Sequence, residues 1–184
     1  MRKVILMMRA SLDGYVCTPD NGLGWMFSRT SPDVVDASLE FLRTVDTNLM
    51  GRVNYQEQAY YWPKETGEIA DLVNNLTHIV FSKTLDHLEW QNSRLATGTP
   101  AEEVARLKQH PGKHIFVPGG ASFAQEMTRA DLIDEYRIVV IPVALGAGKP
   151  IFKDLAAPLD LKLTNTHAFT SGVVELTYER PDRA

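Results

Sequence analysis

The sequence predicts an α/β fold whose central sheet is mainly parallel, with an antiparallel edge formed by its C-terminal part. Up to about residue 130, short apolar runs alternate with helical patterns, which indicates βα units and therefore parallel strands. Beyond Asp131 the pattern changes to β runs at Glu135–Val143 and Val173–Glu179, with a β-like piece at Leu159–Thr166. A terminal set of strands without helices is typical of an antiparallel edge. The length of 184 residues fits one domain over residues 1–184.

The composition argues against several classes of function. A formal net charge of −4 provides no basic surface, so we expect no nucleic-acid partner. No stretch reaches the roughly 18 apolar residues of a membrane span, so we expect no membrane association. Cys17 is the only cysteine and can form no intramolecular disulfide, which indicates a reducing, cytoplasmic location.

The N-terminal part predicts a central strand followed by a long loop. Residues 3–10 are apolar nearly throughout, as expected of a strand covered on both faces. The loop that follows runs to about Thr30 and contains Gly22, Gly24 and Trp25. An aromatic residue among glycines at a strand end suits a mobile flap over a ligand. A surface hairpin that packs Trp25 on the core is the alternative.

The next elements repeat the βα pattern. Ser31 as N-cap, Pro32 at the first position and Asp33 in the first turn predict a helix that runs to about Val45. A strand at Thr47–Met50 follows, and Gly51-Arg52 begins a second helix. Further along we predict strands at Thr77–Phe81, Ser93–Ala96 and His114–Val117, a helix at Pro100–Leu107 capped by Thr99, and a helix at 122–130.

Three of the predicted strands end in segments suited to phosphate groups. Gly51-Arg52 offers a guanidinium, Ser82-Lys83-Thr84 offers hydroxyls and an ammonium, and Gly119-Gly120-Ala121-Ser122 offers backbone N–H groups at a helix start. Each alone is typical of an ordinary turn or a solvated helix start. In an open α/β sheet the carboxyl ends of the strands border one crevice, so together they favour an NADP(H) site.

The same segments, in this order and spacing, resemble a known family. Together with Ser11-Leu12-Asp13-Gly14 and Pro142–Gly148, they are similar to the dihydrofolate-reductase-like superfamily. Within it, the sequence resembles most the C-terminal reductase domain of the bifunctional riboflavin-biosynthesis deaminase/reductase and its stand-alone relatives. The resemblance implies a three-layer fold around an eight-stranded, mostly parallel sheet with flanking helices, NADPH as cofactor, no metal, and a homodimer.

The resemblance also implies roles for individual residues. Arg52 would lie near the 2′-phosphate of NADPH, and Trp25 is assigned with the substrate. The remaining implied cofactor residues are Ala10, Gly51, Ser82, Lys83, Thr84, Gly119, Gly120, Ala121 and Ser122. Ser11 and Gly14, just after strand one, lie where the relatives bring nicotinamide and substrate together. Asn54 replaces the threonine of the family's Gly-Arg-x-Thr-Tyr pattern, and Trp25 lacks the nearby proline of true dihydrofolate reductases, which argues against folate reduction.

The sequence leaves the proton donor open. Hydride transfer to a carbonyl or imine needs a polarised or protonated acceptor, and a partly buried carboxyl group could provide the proton. Asp36 on the first helix and Asp13 at the end of strand one are the candidates, although Asp36 shares a polar stripe with Glu40 and Arg43. Asp33 needs no role beyond stabilising the helix dipole. Positioning together with a water molecule is the alternative.

These expectations combine into an NADPH-dependent reductase of a small heterocycle. The specific prediction is reduction of 5-amino-6-(5-phosphoribosylamino)uracil, and the alternatives are a dihydrofolate or pterin reductase and a non-catalytic NADPH-binding module. The run Ile138–Val143 is predicted to form an apolar sheet edge available for a homodimer, because long exposed edges otherwise favour aggregation.

Overall fold

A computed structural model describes residues 1–181, and its centre is an eight-stranded sheet. The strands are β1 (Val4–Ser11), β2 (Tyr15–Cys17), β3 (Val45–Gly51), β4 (Thr77–Phe81), β5 (Ser93–Leu95), β6 (His114–Val117), β7 (Glu135–Ile141), β8 (Lys149–Pro150), β9 (Lys162–Ala168) and β10 (Val174–Glu179). The helices are α1 (Pro32–Leu42), α2 (Arg52–Tyr61), α3 (Glu68–Asn74), α4 (Pro100–Lys108) and α5 (Ala121–Arg129). Short 3-10 turns occur at Gly24–Met26 and Trp62–Lys64.

The strand order confirms the predicted sheet. The order is β5-β4-β3-β6-β1-β7-β10-β9, while β2 and β8 form a separate two-stranded pair. All neighbours from β5 to β7 run parallel, and β10 pairs antiparallel with both β7 and β9. The predicted α/β architecture, mainly parallel with an antiparallel C-terminal edge, is therefore the fold of this chain.

Helices cover both faces of the sheet and divide the core. Even-numbered residues of β1, such as Leu6, pack with α5 residues such as Met127 in a first core cluster. Ile5 points to the opposite face, where it joins a second cluster with Phe41 of α1 and Tyr55 of α2. The alternation of side chains along a strand produces this division, and it makes β1 the apolar, doubly covered strand that the sequence predicts.

The boundary between α1 and β3 differs from the prediction. The helix ends at Leu42, and Val45 is already the first residue of β3, where it is buried in the second cluster and pairs with His114. An apolar residue satisfies a helical and a strand pattern equally well, so only tertiary pairing decides its state. The helix α3 and the pair of β2 with β8 were not predicted, because each is too short to show a periodic pattern.

The predicted dimer edge is wrong in its location. Strand β7 contains Ile138 and is paired on both sides, with β1 and with β10, so it is an interior strand. The edge strands of the large sheet are β5 and β9, and all seven residues of β9 are exposed. Strand β10 inserts between β7 and β9, so β9 and not β7 lies at the edge.

The start of α1 is fixed to the turn between β9 and β10. The Asp33 carboxylate accepts the N–H of Thr170 at 2.8 Å, and the Ser31 hydroxyl donates to Ser171 Oγ at 3.0 Å. Asp33 therefore has a structural role: it joins the start of α1 to a turn that lies 137 residues further along the sequence. Over residues 1–181, no helix has the length and apolarity needed to cross a membrane.

Candidate functional site

The carboxyl ends of four adjacent parallel strands border one edge of the sheet. In the order β4-β3-β6-β1, Ser82 follows β4, Gly51 is the last residue of β3, Gly119 lies two residues after β6, and a turn follows the end of β1 at Ser11. The structure therefore brings the segments that the sequence singles out to one place, the C-terminal end of the parallel strands, which we call the crevice. Among residues 1–181 no group of three or more His, Cys, Asp or Glu side chains is placed to hold a metal ion.

Gly51 permits a close approach between β3 and the start of α5. A Cβ at this position would lie 3.3 Å from the Cβ of Phe123, a distance that needs the neighbour to shift. Phe123 in turn stacks on Phe81 at the end of β4, with 5.0 Å between ring centroids. The ends of β3 and β4 and the first turn of α5 are thus held together by packing.

The turn between β6 and α5 requires its two glycines. Gly119 and Gly120 have φ angles of +107° and +78°, which L side chains rarely adopt. A Cβ on Gly120 would lie 3.1 Å from the Cβ of Asn54, a buried residue of α2. Asn54, the residue that departs from the family pattern, therefore packs directly against the glycine turn and joins the starts of α2 and α5.

The two helices that begin at this crevice have no side-chain caps. Gly51 and Gly120 are the N-cap residues of α2 and α5, and neither helix has an acidic residue in its first turn. In contrast, α4 has a complete capping box between Thr99 and Glu102, and α1 and α3 have acidic residues in their first turns. Uncapped first-turn N–H groups and the positive ends of the helix dipoles favour an anion at both starts.

The cationic and hydroxyl groups lie at the same edge. Ser82 Oγ accepts the N–H groups of Thr84 at 3.1 Å and Leu85 at 2.9 Å, which fixes a compact turn after β4. Lys83 and Arg52 are exposed, and Arg52 Nη1 donates to Gln56 Oε1 at 3.1 Å. Neither cation is paired with a carboxylate in the described part of the chain, so both can meet a phosphate.

The end of β1 is organised by Asp13. Its carboxylate accepts hydrogen bonds from Ser11 Oγ at 2.6 Å, the Leu145 N–H at 3.1 Å and the Gly146 N–H at 2.7 Å. These bonds, with the Ser11 hydroxyl first, lower the pKa of Asp13 to about 2. Asp13 is therefore ionised at neutral pH and positions the turn before β8, which makes it a poor proton donor.

The remaining predicted residues of this region are distributed differently. Ala10 and Ser11 are buried at the end of β1, and Gly14 has a φ of +83° in the turn that follows. Asp36 is exposed on α1 and is not brought into hydrogen-bonding contact with the other predicted residues. Trp25 packs on a third core cluster that contains Val34 of α1, as the packing alternative expects, and its buried Nε1 has no hydrogen-bond partner among residues 1–181.

Sequence reasoning missed two residues at this edge. In the sequence Asn54 is only a departure from a family pattern, because its contact with Gly120 depends on the packing of two helices. Arg9 interrupts the apolar run of β1 and is partly buried beside the crevice. A charged residue inside an otherwise apolar central strand is the signal that could have identified it.

Sequence similarity assigns a family to the chain that carries this sheet order, glycine turn and pair of uncapped helix starts. The chain belongs to the RibD C-terminal domain family, whose model matches residues 2–175. It is 35% identical over 182 residues to the uncharacterized protein YyaP of Bacillus subtilis, which covers 96% of this chain and 94% of YyaP.

Solved structures confirm the dihydrofolate-reductase-like fold. A Shewanella protein assigned provisionally to riboflavin biosynthesis matches this chain with a TM-score of 0.83 at 23% sequence identity. The match covers 98% of this chain and 99% of the Shewanella chain. The Thermotoga maritima deaminase/5-amino-6-(5-phosphoribosylamino)uracil reductase matches with a TM-score of 0.70 at 15% identity. This match covers 98% of this chain and 57% of the Thermotoga chain. Dihydrofolate reductase from Enterococcus faecalis, complexed with NADP(H), matches with a TM-score of 0.64 at 16% identity. This match covers 98% of this chain and 97% of the reductase chain.

Proposed function

We propose that this protein is an NADPH-dependent reductase of a pyrimidine- or pteridine-like heterocycle. The specific reaction that we propose is reduction of 5-amino-6-(5-phosphoribosylamino)uracil. The observation that carries the proposal is the meeting of two uncapped helix starts, those of α2 and α5, at the glycine turn after β6. Membership in the RibD C-terminal domain family supports it, as does the fold shared with an uracil reductase.

The residues at the crevice fit a dinucleotide. The glycine turn and the first turn of α5 would hold the pyrophosphate, because a Cβ on Gly119 or Gly120 would occupy space against Met8 or Asn54 and the backbone N–H groups would be less accessible. Arg52 would bind the 2′-phosphate through its guanidinium fork, with the turn Ser82–Thr84 on the other side of the subsite. NADPH, when bound, supplies the hydride.

The end of β1 would orient the reactants. Ser11 is fixed by two hydrogen bonds, one donated to Asp13 and one accepted from the Tyr15 N–H at 2.9 Å, so the end of β1 forms a rigid wall. A rigid wall favours hydride transfer by holding the two reacting carbons at a fixed separation. Asp36 remains a proposed proton donor, with solvent water as the alternative.

A non-catalytic NADPH-binding module is the second candidate. The observation that favours it is the state of the two carboxylates, because Asp13 is held ionised and Asp36 lies exposed. Steady oxidation of NADPH with 5-amino-6-(5-phosphoribosylamino)uracil or a dihydropterin would exclude this candidate and would also distinguish the uracil reductase from a pterin reductase.

Calorimetric titration with NADPH and NADH tests the cofactor site. We expect NADPH to bind more tightly than NADH, and Arg52→Ala to weaken NADPH binding by about tenfold while leaving NADH unchanged, because only NADPH has the 2′-phosphate. Arg129→Ala, which removes an exposed arginine from the other end of α5, is the matched control. Failure of both nucleotides to bind would rule out the reductase.

A further inference from the structure

Arg9 is the feature of the crevice that the cofactor site does not use. It lies on β1 opposite Val139 of β7, and alternation along the strand places its side chain on the face that α1 covers. Val139 belongs to the third core cluster, which Trp25 also contacts. The Arg9 guanidinium carbon lies 5.8 Å from the ring centroid of Phe27, two residues beyond Trp25. Arg9 is therefore covered by the loop that precedes α1.

Arg9 differs from the other arginines that are withdrawn from solvent. Within residues 1–181, five arginines are buried or half-buried, and four of these five form ion pairs with carboxylates. These pairs are Arg2 with Asp46, Arg94 with Glu103, Arg137 with Glu135, and Arg180 with Asp131. Arg9 has no acidic partner among the described residues, and its burial lowers its pKa. The cost of withdrawing this charge from water is thus not offset by an ion pair.

A second hydrogen-bond donor without a partner among residues 1–181 lies in the loop that covers Arg9. Trp25 Nε1 is buried without a hydrogen-bond partner in the described part of the chain. Buried N–H donors are nearly always satisfied, so this one indicates an acceptor that the protein alone does not provide. A guanidinium and an indole N–H are both donors only, and both therefore suit a ligand rich in oxygen acceptors.

We propose that Arg9, assisted by the indole N–H of Trp25, binds an oxyanion carried by the substrate. The substrate is then a heterocycle with a carboxylate or phosphate group, and Arg9 is a specificity-determining residue. The identity of the bound molecule as a substrate rests on the proposed reductase function. The place of Arg9 on β1, two residues before Ser11 on the same face, puts this subsite beside the expected meeting point of nicotinamide and substrate.

Calorimetry with three pyrimidines tests the subsite. Orotate carries a carboxylate, uridine 5′-monophosphate carries a phosphate, and uridine is the neutral reference. We expect the better of the two anions to bind about tenfold more tightly than uridine, and Arg9→Gln to abolish that preference. The preferred anion identifies the carboxylate or the phosphate as the recognised group. Equal binding of all three by the wild type, or an unchanged preference in Arg9→Gln, would overturn the subsite.

Two further variants separate recognition from folding. Arg29→Gln removes an exposed arginine from the same loop and should leave the preference intact. Arg9→Lys keeps the charge without the planar fork, so it should retain the preference with weaker binding even if Arg9→Gln were to fold poorly. Loss of the preference in Arg29→Gln would contradict the assignment to Arg9.

The same preparations distinguish this inference from the reductase proposal. The anion titrations are made without NADPH, and NADPH is titrated separately. Binding of NADPH without an anion preference would overturn the Arg9 subsite alone. An Arg9-dependent anion preference without NADPH binding would support the subsite and overturn the reductase.

Discussion

Single residues at the crevice are constrained by backbone geometry as much as by chemistry. Gly120 combines a φ of +78° with a neighbour, Asn54, that a Cβ would touch. Gly146 has a similar φ of +72° but nothing within 4 Å of the place of its Cβ. The two glycines therefore separate the cost of an unfavourable backbone angle from the cost of a contact.

Gly120→Ala should destabilise the protein more than Gly146→Ala. Both substitutions put a side chain in the left-handed region, which lowers the free energy of unfolding by about 1–2 kcal/mol. Gly120→Ala must also displace Asn54. We expect about 1 kcal/mol of additional loss in the free energy of unfolding, measured by urea denaturation. Equal losses in the two variants would show that Asn54 moves away freely.

At the residue scale, the sequence predicts positions whose chemistry is local. The glycines at 51, 119 and 120 could be selected because a strand end, a tight turn and a helix start are adjacent in sequence. The state of Asp13 could not, because two of its hydrogen-bond donors are Leu145 and Gly146, more than 130 residues away. Burial of Arg9 likewise depends on a loop whose path the sequence does not determine.

At the scale of elements, the helices differ in how their starts are stabilised: α4 has a capping box, α1 and α3 have acidic residues in their first turns, and α2 and α5 have neither. Helix α4 is stabilised by the Thr99 and Glu102 capping box, whereas α5 begins at a glycine with no side-chain cap. An uncapped helix start costs the free protein stability that a bound anion can restore. The pattern of caps is thus informative about function even without a ligand.

Ser122→Asp should stabilise the free protein and weaken cofactor binding. An acidic residue in the first turn of α5 complements the helix dipole by about 0.3–1 kcal/mol, but it repels a pyrophosphate at the same place. We expect a higher Tm without nucleotide and at least about tenfold weaker NADPH binding by calorimetry.

The neutral variant Ser122→Asn is the matched control, because it has the size of aspartate without the charge and should bind NADPH more tightly than Ser122→Asp does. Unchanged NADPH affinity in Ser122→Asp would place the pyrophosphate away from α5.

Elements were predicted well where their ends are marked locally. The strands β4 and β6 have the predicted limits, and the Thr99 cap is confirmed. The start of β3 was misplaced because the turn between α1 and β3 contains no glycine or proline to separate them. The edge position of β9 could not be predicted, since strand order is a property of the assembled sheet.

At the scale of the whole molecule, one buried histidine links stability to pH. His78 is fully buried, stacks on Trp90 with 3.6 Å between ring centroids, and has Nδ1 at 3.3 Å from Asn48 Nδ2. Burial lowers its pKa to about 4. The folded protein therefore keeps His78 neutral over a pH range in which the unfolded chain protonates it.

The free energy of unfolding should fall as the pH decreases from about 6.5 towards 4. In this window the unfolded state binds one more proton at His78 than the folded state, so stability decreases by up to about 1.4 kcal/mol per pH unit. His78→Phe keeps a ring against Trp90 and should flatten the profile above pH 4.5, while His87→Gln, an exposed control, should not. Urea denaturation at several pH values measures the slopes, and identical slopes in wild type and His78→Phe would contradict the assignment.

The ion pair between Lys3 and Glu179, with 2.6 Å between Nζ and Oε1, joins the beginning of β1 to the end of β10. Because β10 runs antiparallel to its neighbour β7, this pair lies at the edge of the sheet opposite the crevice. A tether, an immobilisation anchor or a second domain attached at either position would therefore leave the molecule from its far side. The two attachment points are also close enough for a short linker, so a circular permutation that joins them and opens the chain within a loop would preserve every strand of the sheet.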